Sequence, residues 1–133
     1  MNLLVSGSSQ VLNQDGWLDR TESPICHTGN EMDVASVAGF SGVVDIAALR
    51  AYRAAVGRRT REIVKQLEPE DLKRKVDPVH LQRVWDEGAV VEAARGIVDY
   101  WSKRDLAGLL LMPASRHLIV HLNEALKLKR RRR

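Results

Sequence analysis

Between residues 45 and 67, Leu49, Tyr52, Val56, Ile63 and Leu67 fall on one side of a helix, while Arg58, Arg59, Arg61, Glu62 and Lys65 lie largely elsewhere. Asp45 stands where an N-cap is needed, so the pattern predicts an amphipathic helix over 45–67. Glu68, Pro69, Glu70 and Asp71 open a short helical turn with proline near its start. Asp77 and Pro78 begin another helical piece that runs through Trp85 and closes near Gly88. Residues 89–101 read as the next helix, with Val91, Ala94, Ile97 and Trp101 toward the core. Residues 105–129 read as one last helix, or a pair that Pro113 kinks or restarts.

Upstream the pattern weakens. Residues 3–18 are compatible with a helix around Val11 and Leu12, but Ser6, Gly7, Ser8 and Ser9 disfavour its beginning. Residues 20–44 form a connection containing Gly, Ser and Thr, which suits a crossover in a helical bundle better than a hairpin. There is no alternating strand pattern of useful length, no internal repeat, no GxGxxG and no P-loop. The prediction is an all-α fold in a single domain over 1–133.

A chain of 133 residues, 44% hydrophobic, is enough for one domain with a real core. No apolar run approaches the length of a membrane span, and residues 1–5 lack the length and the preceding basic residue of a secretory signal. The single cysteine, Cys26, excludes an internal disulfide framework and fits a reducing cytoplasm. It reads as an ordinary loop thiol, with the adjacent His27 leaving a catalytic nucleophile as the alternative. The net charge of +4 comes from the tail at 127–133: without its six cations, 15 basic residues face 17 acidic ones, and the body is at −2. No aromatic residues interleave with the tail to stack on bases, so it reads as a solvated, dipole-compatible helix end, with no specific nucleic-acid partner and no membrane contact.

The most informative stretch is PASRHLIVHLNEA, residues 113–125. His117 and His121 stand four apart and Glu124 three further on, so at about 100° per residue the three share a narrow arc. Leu110 and Leu128 fall on the same face, and Arg116, Asn123, Lys127 and Arg130 on the opposite one, which directs the imidazoles toward a core. Such a pair is either metal bound or hydrogen bonded.

DGWLDR near the start, LRAYRAAVGRRTREIVKQL and LLLMPASRHLIVHLNEAL together resemble the DinB/YfiT-like superfamily over residues 10–128. The resemblance implies a small bacterial four-helix bundle with a long crossover. It also implies a divalent metal, zinc or nickel, held by three histidines with coordination left open for water. Some members act as thiol-dependent transferases or isomerases with bacillithiol, mycothiol or glutathione, and many have no assigned reaction. The family ligands on the last helix match His117 and His121, whereas Ser9 occupies the position of the first ligand. The usual first helix is missing as well, so the bundle would be truncated at its N-terminus and a homodimer is expected to cover the exposed apolar faces of 48–67 and 89–101. His27 and Glu124 are candidates for an additional ligand, and His80 reads as a surface histidine. Two functions follow: a metal-dependent hydrolase or thiol-dependent transferase with an intact or degenerate site, or a non-enzymatic dimeric helical module that retains the fold.

Overall fold

The computed structural model describes residues 1–112 and 116–131. It is all-α: among the described residues no strand occurs, and an isolated antiparallel bridge joins Lys75 and Asp105. The α-helices are α1 (Trp17–Arg20), α2 (Val34–Val43), α3 (Ile46–Lys65), α4 (Pro78–Asp86), α5 (Arg95–Ser102), α6 (Leu106–Leu111) and α7 (His117–Arg131).

Local signals set most of the boundaries. The Asp45 carboxylate accepts from the Ala48 amide at 2.6 Å and starts α3. Glu68 and Asp71 form a reciprocal capping box around the 3-10 turn Pro69–Lys73. Asp77 caps α4 through the Val79 amide at 2.8 Å, and Gly88, at φ 62°, lets the chain leave it. Asp105 caps α6 through Gly108 at 2.8 Å.

The core gathers Ile63 of α3, Val84 of α4, Val98 and Trp101 of α5, and Leu106 and Leu109 of α6, with Val76, Ala89, Val90 and Ala94 from the connections. Residues 89–91 are not helical, with Val91 extended and α5 preceded by a 3-10 turn at Glu92–Ala94, so the helix expected over 89–101 is shorter than its pattern suggests. Ala89 and Val90 enter the core from that non-helical segment, where the Ala89 carbonyl also accepts from the Thr28 amide.

The N-terminal third differs most from expectation. Instead of one helix over 3–18 there are single turns at Asn2–Ser6, Val11–Asn13 and Trp17–Arg20. Leu3 and Val5 of the first turn are buried in the core, packed on α3 and α4. Gly7 ends this turn at φ 64°, and a Cβ there would stand 2.2 Å from His80 Nε2, so both backbone and space require glycine. His80 is half-buried beneath the turn, its Nδ1 3.3 Å from the Leu4 carbonyl oxygen, and not on the open surface. Trp17 is buried against Tyr52 of α3, its ring centroid 5.7 Å from the tyrosine's, and the Arg20 guanidinium lies over its ring at 3.9 Å.

The connection over 20–44 contains a helix, α2, which Asp33 caps through the Ser36 amide at 2.7 Å. Its apolar and small residues run all the way round, so no 3.6-residue stripe betrays it.

Candidate functional site

His117 and His121 lie one turn apart at the start of α7, with Nε2 atoms 2.7 Å apart. His121 Nδ1 is 3.1 Å from a Glu124 carboxylate oxygen. A carboxylate only accepts, so the Nδ1 carries the proton; in the neutral ring Nε2 is then a lone pair, and His117 Nε2–H donates to it. Glu124 thus orients His121 from behind, the arrangement that presents an imidazole lone pair to a cation. With His117 in its other tautomer, both Nε2 atoms carry a lone pair, 2.7 Å apart.

The pair does not face a core. Every described residue of α7 is exposed, and Leu128, expected in a seam with the histidines, is 61% exposed. Leu110 belongs to α6, which ends at Leu111, so the 100° extrapolation that aligned it with His117 crosses a helix boundary. Pro113, expected to make that break, lies outside the described residues, as do Arg132 and Arg133 of the basic tail.

Nor is a third donor brought to the pair. Among the described residues no three His, Cys, Asp or Glu side chains are grouped for a metal ion. Ser9 accepts from Arg83 Nη2 at 2.9 Å and stands in a different constellation. There the Arg83 guanidinium also donates to the Gly7 carbonyl and, at 2.8 Å, to Glu87. Glu87 further accepts from the Gln10 amide at 3.0 Å and from Asn13 at 3.2 Å. Burial works against its charge, yet the Gln10 amide, the Ser9 hydroxyl and the Arg83 guanidinium together hold the Glu87 carboxyl below its ordinary range. This network staples the N-terminal segment to α4, and the sequence shows only its i, i+4 half, Arg83 with Glu87.

Cys26 is half-buried, its Sγ 3.8 Å from the Gly88 carbonyl oxygen. His27 Nδ1 accepts from the Gly29 amide at 3.1 Å, which ties the ring into its own turn. An apolar cavity of about 260 Å³ lies beneath residues 1–5, walled by Val56, Val84, Trp101 and Leu109 among others. No histidine, cysteine or charged side chain lines it; its polar side chains are Asn2, Gln10, Thr28 and Tyr52, and burial raises the Tyr52 phenol above its ordinary range.

No family model, curated protein or solved structure matches this chain.

Proposed function

We propose that the chain is a non-enzymatic helical interaction module, with α7 as its docking element. The observation that carries this reading is that α7 is exposed over all fifteen residues while keeping a continuous apolar arc of Leu118, Ile119, Leu122 and Leu126. A helix of this length is marginal in water unless tertiary packing stabilises it, so an apolar arc without cover gains most from a partner. The homodimer expected from a truncated bundle has a reduced motive, because Leu3 and Val5 already pack against α3 and α4. The test is amide hydrogen exchange on the full chain. In dilute solution the amides of α7 should exchange quickly while those of α5 stay protected. Slow exchange along α7 in the dilute monomer would refute the reading.

A second reading, divalent-metal binding, is favoured by the Nε2 pair and its Glu124 support. Two imidazoles one helical turn apart form a surface chelate for zinc or nickel, with the remaining coordination left to water or to a thiolate such as a low-molecular-weight thiol. A DinB-like hydrolase or thiol-dependent transferase would be the enzymatic form of this reading, with the cytoplasm as its setting.

A further inference from the structure

Leu118, Ile119, Leu122 and Leu126 span an arc of about 100° on α7, a helix about 22 Å long. They are 39%, 57%, 54% and 52% exposed. Lys127, Lys129, Arg130 and Arg131 crowd its C-terminal end, and Glu124 is its one acidic residue. Lys129 continues the apolar arc one turn on, where its aliphatic stem extends the apolar surface and its ammonium reaches outward.

The charge pattern selects among occupants. A second α7 in parallel brings the two cationic ends together. In antiparallel pairing each cationic end meets the opposite helix's beginning, which carries Arg116 and His117 and no acid. Nucleic acid answers the cations but leaves the leucines in water. An anionic bilayer answers both, taking the leucines into the acyl-chain boundary and holding the cations among the headgroups.

A separate observation points the same way. α2 has no charged residue, and Val34, Val37 and Val43 are 88%, 49% and 51% exposed, a second apolar surface open to water. Among the described residues no single helix is long and apolar enough to cross a membrane; α2 and α3 satisfy that test only as a pair bent by 101°.

We infer that α7 is an interfacial helix that docks the protein on an anionic phospholipid surface. The inference rests on α7 being the docking element and names its partner. The test is cosedimentation of the full chain with phosphatidylcholine vesicles and with vesicles carrying about a quarter phosphatidylglycerol. Binding to the anionic vesicles should be at least about tenfold tighter. A Leu118→Ser, Leu122→Ser, Leu126→Ser variant and a Lys127→Gln, Lys129→Gln, Arg130→Gln, Arg131→Gln variant should each lose about tenfold or more of it. Equal or absent binding to the two vesicles, or full retention by the leucine variant, overturns the lipid assignment. Sedimentation velocity without vesicles separates the two levels of inference. A dimer that the leucine variant dissolves, with no vesicle binding, removes the lipid and leaves docking through α7 standing. A lower urea midpoint for the leucine variant alone in solution means that α7 packs on the body, and overturns both.

Discussion

Glu87→Ala removes the acceptor that joins residues 9–13 to α4. The carboxylate is only 14% exposed and receives the Arg83 guanidinium at 2.8 Å and the Gln10 amide at 3.0 Å; the Asn13 contact is at the surface and contributes little. A hydrogen bond to a partly buried charged group contributes about 1.5–3 kcal/mol, and truncation also leaves the Gln10 amide without its acceptor and the guanidinium with only Gly7 and Ser9. The expected loss is therefore about 2 kcal/mol, a large share of the roughly 5–15 kcal/mol of a typical domain. Urea unfolding followed by the fluorescence of Trp17, Trp85 and Trp101 measures it. The pH dependence has a defined sign. Because the folded-state carboxyl lies below its ordinary 4.5, the stability it contributes is present above that value and disappears as pH falls through the lower folded value. The difference between the wild type and Glu87→Gln should shrink correspondingly in acid. A Glu87→Ala loss under about 0.5 kcal/mol, or a vanishing coupling energy in a double-mutant cycle with Arg83→Ala, would refute the staple.

Isothermal titration with zinc or nickel should show at most one ion per chain, with His117→Ala and His121→Ala each removing most of the binding and leaving the unfolding midpoint unchanged; undiminished binding in both variants would place the ion elsewhere. Ser9→His should not strengthen that binding, because position 9 faces Arg83, and should lower stability instead; a gain in metal affinity would bring the N-terminal segment to α7. Leu106→Ala, at a position 1% exposed, should cost about 2–5 kcal/mol in urea unfolding, and a loss below about 1 kcal/mol would contradict the assigned core.

The sequence by itself determined the elements whose signals are local. Asp45, the Glu68–Pro69–Asp71 turn, Asp77–Pro78, Gly88 and Asp105 act within a few residues of themselves, and Leu49, Tyr52, Val56 and Ile63 form the buried or half-buried face of α3, with Leu67 half-buried just past its end. α2 escaped because a helix apolar on all sides has no period to detect, and the first turn because its residues gain stability from α3 and α4 across the chain. His117, His121 and Glu124 were legible as one group because 3.6 residues per turn places them together wherever the helix lies. Whether that group faced a core or water was a matter for the tertiary structure. Periodicity fixes which residues share a side of a helix; only the packing of Leu3, Val5 and α3–α6 against one another decided that the core closes without α7.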